Sequence, residues 1–260
     1  MRSNYRIFMN PKIALITGGS RGLGKNMAIR LAEAGKDIII TYNTNKNSAQ
    51  EVVNTIEAMG RKAVALQLDV NIISSLESFL ASVSEVLMAK WSTSTFDYLV
   101  NNAGIGATIP FLDATEEDFD RLLNIHFKSV YFLSQKALTL LNDGGSIVNI
   151  SSGTTRFCNP GYSIYASMKG AVETFTRYLA KDLGPRGITA NIIAPGPIET
   201  DFNNAAIRSN SQLKERLSTM TALGRVGEAN DIGGIVAFLC SNDGHWINGQ
   251  RIEASGGISL

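Results

Sequence analysis

The sequence is poor in the residues that build disulfide frameworks and metal centres. Among 260 residues there are two cysteines, Cys158 and Cys240, and two histidines. Isolated cysteines make neither a cross-linked secreted scaffold nor a thiolate cluster, so free thiols in a reducing compartment are expected. No His, Cys or carboxylate group has ligand spacing, which predicts chemistry without a metal. Charge of one sign is missing too: a net charge of +1 provides no field to draw nucleic acid or a membrane surface. No apolar run approaches the ~20 residues of a membrane span. Residues 1–11 mix Arg, Asn, Ser and aromatics with no signal-peptide core. The expectation is a cytoplasmic protein with a short N-terminal extension over 1–11, in which Met9 is as good a start as Met1.

What is present is core-forming material. Apolar residues make up 44% and charged residues 18% of the chain, with no break in composition, which predicts one α/β domain over 1–260. Short apolar runs at 12–17, 37–42, 63–68, 98–101, 146–150, 188–194 and 251–254 alternate with stretches of helical periodicity, including 25–34, 48–59, 72–90, 113–141 and 230–241. Strand and helix in alternation give a parallel, doubly wound sheet whose ligands lie at the strands' carboxyl ends. The polar, loosely periodic stretch 199–222 is the one long connection with no strand, and reads as a mobile lid over substrate.

The motifs all fall at those carboxyl ends. The turn Gly18-Gly-Ser-Arg-Gly-Leu-Gly24 stands between the first strand and the first helix, where glycines let a pyrophosphate approach free amides at the helix N-terminus. The second strand runs into Tyr42-Asn-Thr-Asn-Lys46 with no carboxylate to bind a ribose 2'-hydroxyl, and Arg21 is within reach of the same region. A 2'-phosphate there would meet amides, hydroxyls and a guanidinium, so NADP(H) is preferred over NAD(H). Small residues after the fourth strand, Asn102-Ala-Gly104, mark another close approach of backbone to ligand. Tyr165 and Lys169, four residues apart on a helix, share a face. An ammonium beside a phenol favours the phenolate and lowers its pKa, which makes a general acid/base. Ser152, just past the fifth strand, delivers a hydroxyl that holds a carbonyl oxygen while Tyr165 protonates it.

In this order and spacing, Thr17-Gly-Gly-Ser-Arg-Gly-Leu-Gly24, Asn101-Asn-Ala-Gly104, Ser152, Tyr165-x-x-x-Lys169 and Pro195-Gly196 resemble the short-chain dehydrogenase/reductase family over nearly the whole chain, including its 3-oxoacyl carrier-protein reductases and glucose dehydrogenases. The resemblance implies a Rossmann fold with a seven-stranded sheet of order 3-2-1-4-5-6-7 and a homodimer or homotetramer joined through two long helices. It implies that Gly18, Ser20, Arg21 and Leu23 hold the pyrophosphate and nearby ribose, Asn43 the 2'-phosphate, and Asp69 and Val70 the adenine. Asn102 would lie beside the nicotinamide ribose, Lys169 would hydrogen-bond that ribose, and Ile198 would face the carboxamide. Where many members have an Asn that helps hold a relay water, this chain has His126, whose charge could change between pH 5 and 8. His126 is either the water-holding group or a packed helix residue.

The implied reaction moves a hydride between NADP(H) and a small-molecule carbonyl or secondary alcohol. A 3-oxoacyl thioester stands level with a free ketone, alcohol or sugar as substrate, although residues 137–145 carry no Lys or Arg to dock an acidic carrier and Arg186 is the one suggestive basic residue nearby. A cofactor-binding sensor without turnover has no use for Ser152, Tyr165 and Lys169 together. A Rossmann-like methyltransferase would leave Tyr165 and Lys169 unexplained. The direction of the lid residues Asp201, Phe202 and Asn203, and of Thr155, Phe157 and Tyr162 opposite, decides the shape of the pocket.

Overall fold

In the computed structural model of the chain, residues 11–260 are described; residues 1–10 of the expected extension, and with them the choice between Met1 and Met9, lie outside. Seven parallel strands run β1 (Ile13–Ile16), β2 (Asp37–Tyr42), β3 (Ala63–Gln67), β4 (Phe96–Asn101), β5 (Leu141–Ile150), β6 (Thr189–Pro195) and β7 (Arg251–Ala254). Their order is β3-β2-β1-β4-β5-β6-β7, as the resemblance implied. The central strands are continuous apolar runs because both of their faces are covered. Ala14 and Ile16 pack with Ile38, Ile40 and Val100 on one face. Ile13 and Leu15 pack with Ile39 and Leu99 on the other, the period-two alternation of a pleated sheet.

Each face takes helices whose buried stripe matches it. The first receives α1 (Gly22–Glu33), α2 (Lys46–Ala58) and α9 (Asn230–Leu239), through Met27, Leu31, Val52, Ile56, Val236 and Leu239. The second receives α3 (Leu76–Trp91), α5 (Ser129–Ala137) and α6 (Ser163–Leu183), through Leu76, Leu80, Val83, Leu133, Leu179 and Leu183. Fully buried leucines such as Leu99 and Leu87 fix these layers. Truncating one to alanine costs about 2–5 kcal/mol.

Two sequence expectations are corrected, and the lid gains detail. The single helix predicted over 113–141 is α4 (Glu116–Leu123), a π turn (Asn124–Lys128) and α5. Its start is as expected: Thr115 and Asp118 form a reciprocal capping box, with Glu116 and Glu117 in the first turn. The inserted π turn leaves the apolar spacing helical, so periodicity does not reveal it. The fifth strand begins at Leu141 rather than 146, because Asn142 Nδ2 donates to Asp97 Oδ1 at 2.9 Å and a register shift between Phe96 and Tyr98 absorbs the glycines. The strandless lid contains two short helices, α7 (Phe202–Ser209) and α8 (Ser211–Thr219).

Candidate active site

The β1–α1 turn is built so that backbone faces a ligand. Gly18 has φ +67°, and a Cβ on Gly24 would lie 2.1 Å from the Gly18 carbonyl oxygen, so only glycine lets α1 sit this close to the strand. Arg21 precedes α1 in extended conformation and provides no side-chain cap. The first-turn amides of that helix therefore point into the cleft without an intrahelical acceptor. Asn102 braces the turn: its Nδ2 donates to the carbonyls of Thr17 (2.9 Å) and Gly18 (3.1 Å), while its amide donates to Thr17 Oγ1 at 3.0 Å.

All the sequence-predicted cofactor residues line one cleft of about 570 Å³ with Ser152, Tyr165, Lys169 and His126. Asn43 stands at its far end beside Thr44 and Asn45. Asp69 is turned to its own backbone, accepting from the Asn71 amide at 2.9 Å. Ile198 also lines it, past the end of β6, where an isolated bridge pairs it with Gly227. These features fit a dinucleotide: exposed amides at α1, a wall that a Cβ would fill, and a polar, carboxylate-free end beyond β2.

At the other end of the cleft, α6 carries Tyr165 and Lys169, both buried. Lys169 Nζ donates to the Ile150 carbonyl at 2.8 Å and lies 5.7 Å from the centroid of the Tyr165 ring. The expectation that this ammonium lowers the tyrosine pKa is corrected. Burial pushes the Tyr165 phenol up to about 12, against the pull of the Ser152 hydroxyl, and pushes Lys169 down to about 8. Each group is harder to ionise away from water, and burial is the largest influence on both. At neutral pH Tyr165 thus holds its proton, the state a proton donor needs. Ser152 caps the short 3₁₀ turn Gly153–Thr155, its Oγ accepting from the Thr154 amide (3.2 Å) and the Thr154 hydroxyl (3.0 Å).

His126 sits in the middle of the π turn, fully buried, its ring edge-on to Tyr165 with centroids 4.9 Å apart. Nε2 accepts a long 3.5 Å bond from the Ile105 amide, which places the proton on Nδ1, and Nδ1 has no partner among the described residues. The expected change of charge between pH 5 and 8 is opposed by the surroundings: burial first, and Lys169 second, push this imidazole well below its ordinary value and favour the neutral ring.

The pocket-shaping residues divide. Tyr162 and Phe202 stand 6.1 Å and 6.4 Å from the Tyr165 ring, and Asn203 joins the two sides by donating to the Tyr162 hydroxyl at 3.4 Å. Asp201 turns to Arg208, Phe157 packs against Gly153, and Thr155 faces Glu173. Arg186 is engaged: its guanidinium pairs with Asp143 at 2.6 Å and donates to the carbonyls of Leu138 and Leu141. Sequence reasoning missed Thr154, Glu173, Arg251 and Ile105. The only available signal was the position of Glu173, one further helical step from Tyr165 and Lys169.

A parallel sheet of this order, a glycine turn facing a helix N-terminus, and Ser, Tyr and Lys around one cleft define a dinucleotide-dependent oxidoreductase. The sequence pattern described as enoyl-(acyl carrier protein) reductase matches residues 18–259. A hydroxynaphthalene reductase-like protein of Metarhizium brunneum is 37% identical over 257 residues, covering 95% of this chain and 94% of that protein. Among solved structures, the angucycline C-6 ketoreductase LanV with bound NADP superposes with a TM-score of 0.91 at 36% identity, covering 96% of each chain. The promiscuous reductase LugOII, which catalyses keto-reduction at C1 during lugdunomycin biosynthesis, matches equally well (TM-score 0.91, 36% identity, 96% of this chain and 98% of that one). The chain belongs to the short-chain dehydrogenase/reductase family, and it is an NADP-dependent enzyme acting on carbonyl or carbinol groups. No helix among the described residues is long and apolar enough to cross a membrane.

Proposed function

We propose that this protein is an NADPH-dependent ketoreductase for a planar, fused-ring ketone. One observation carries the reading: Tyr165 and Ser152 stand in a cleft that Phe202 also lines, and the rings of Tyr162 and Phe202 lie 6.1 Å and 6.4 Å from the Tyr165 ring, an aromatic surround suited to a flat aromatic body. The named substrates of the hydroxynaphthalene and angucycline reductases agree with such a surround. A carrier-borne thioester lacks support, since Arg186 is held by Asp143 and two carbonyls.

NADP(H) supplies the hydride. Ser152 donates its hydroxyl hydrogen to the substrate oxygen, and Tyr165, protonated at neutral pH, gives that oxygen its proton. Lys169 holds positive charge below its pKa of about 8 and steadies the phenolate that remains. His126 acts as a neutral donor: its unpartnered Nδ1–H holds the water that returns a proton toward Lys169 and Tyr165. The absence of a carboxylate over 42–46, with Arg21 nearby, favours NADPH over NADH. The aromatic face of α5 and α6, where Tyr131 stacks on Phe175 and Tyr178 is exposed, receives the same face of a second copy.

The test is loss of reduced-cofactor absorbance with NADPH, and separately NADH, against fused-ring ketones such as tetralones, aliphatic diketones, sugars and a short 3-oxoacyl thioester. Turnover of the fused-ring ketones with NADPH is expected. Preference for the thioester or a sugar would overturn the substrate reading.

A further inference from the structure

The partly buried charges beneath the serine turn are unused by this mechanism. Tyr165, Lys169 and Glu173 follow at four-residue intervals on α6, so one helix face carries both catalytic groups and a carboxylate. Glu173 Oε1 accepts three bonds: from Ser151 Oγ (2.6 Å), Thr155 Oγ1 (2.8 Å) and Arg251 Nε (2.8 Å). Ser151 and Thr155 lie on either side of Ser152. Arg251, on β7, is wedged against the same turn, its Nη2 donating to Thr155 Oγ1 (3.1 Å) and the Ser152 carbonyl (3.4 Å). Its charge is shared with Glu253, which is in turn held by Arg156 at 2.7 Å. The carboxylate therefore ties the helix of Tyr165, the turn of Ser152 and the last strand into one unit.

The turn so held decides what the Ser152 hydroxyl can do. Both of its acceptor positions are occupied by Thr154, through amide and hydroxyl, which leaves its hydrogen to be donated into the cleft. That orientation lasts only while the turn keeps its shape. Charge-assisted bonds to a mostly buried carboxylate are the strongest of those that fix it.

We propose that Glu173 is a positioning residue: through Ser151, Thr155 and Arg251 it fixes the turn that aims the Ser152 hydroxyl at the substrate oxygen. The inference rests on Ser152 serving the ketone reduction proposed above. Glu173→Gln keeps the size of the side chain and removes the charge that gathers these three donors.

The experiment compares Glu173→Gln in the wild-type and Ser152→Ala backgrounds, with NADPH and a tetralone. In the wild-type background kcat falls roughly 10- to 100-fold, the scale of a misplaced reacting group, with the KM for NADPH nearly unchanged. In the Ser152→Ala background the same change costs less than about threefold, since the group it positions is already gone. Equal losses in both backgrounds, or an unchanged kcat, would overturn the proposal. Amide hydrogen exchange gives a readout independent of activity. The amides of Thr155, Arg156 and Phe157 bond to the carbonyls of Ser152 and Gly153, and they exchange faster in Glu173→Gln while those of α1 do not. Unaltered exchange there refutes the positioning role. Faster exchange in an enzyme that reduces no ketone supports it and moves the failure to the reaction. Should Glu173→Gln not fold, Ser151→Ala and Thr155→Ala, each removing one donor, are expected to show the same background dependence.

Discussion

Gly104→Ala tests the packing of His126 against the loop after β4. A Cβ at position 104 would lie 2.9 Å from His126 Cε1 and 3.2 Å from Nδ1. His126 is fully buried in the π turn and edge-on to Tyr165, so a ring pushed aside at Gly104 must give up part of that contact. Overpacking of this kind costs about 1–3 kcal/mol. In a chain of this size each kcal/mol lowers Tm by about 2–4 °C, which puts the expected fall near 2–12 °C by thermal unfolding. The ring displaced is the one facing Tyr165, so kcat for ketone reduction falls too. His126→Asn removes the nearest atom, and Gly104→Ala in that background is expected to cost less than half as much. Equal costs in both backgrounds would refute the packing argument.

The pH dependence of kcat/KM for reduction, which reports the free enzyme, is expected to be level from about pH 6 to 7, because burial favours the neutral His126 ring and keeps Tyr165 protonated. It then falls to half near pH 8 as Lys169 loses its charge, and a limb near pH 6.5 abolished by His126→Asn would show that the imidazole titrates after all. His126→Leu, which removes the Nδ1 donor, is expected to lower kcat more than His126→Asn does in steady-state assays. Arg21→Ala should raise the KM for NADPH by about tenfold, the worth of one charge-assisted bond, with little change for NADH. Tyr131→Asp places a carboxylate on the aromatic face of α5 and should shift light-scattering mass toward the monomer, whereas an unchanged mass would locate the interface elsewhere.

The sheet was legible because its central strands carry short apolar runs and the glycine turn, Asn102 and Ser152 stand at strands' carboxyl ends. The order of strands came through the resemblance, since periodicity does not say which strand pairs with which. Ser152, Tyr165 and Lys169 converge as spacing implied, but their ionisation did not follow from spacing. A tyrosine four residues from a lysine is read as activated by charge, and the structure shows burial winning on both groups. The π turn at His126 and the early start of β5 were hidden for a common reason: each depends on one local hydrogen-bonding shift that leaves the hydrophobic pattern intact. Glu173 and Arg251 were illegible because their partnership joins α6 to β7 across the fold.

The account stands most directly on Tyr165 as proton donor, and one comparison tests it: single-turnover and steady-state reduction of a fused-ring ketone with NADPH by the wild-type enzyme and Tyr165→Phe, alongside NADPH binding by fluorescence. The substitution keeps the ring against His126 and removes only the hydroxyl. Turnover is expected to fall by about 10²-fold or more with the NADPH dissociation constant nearly unchanged. Turnover within a few fold of wild type, with the cofactor bound, would contradict the assignment of Tyr165 and the mechanism built on it.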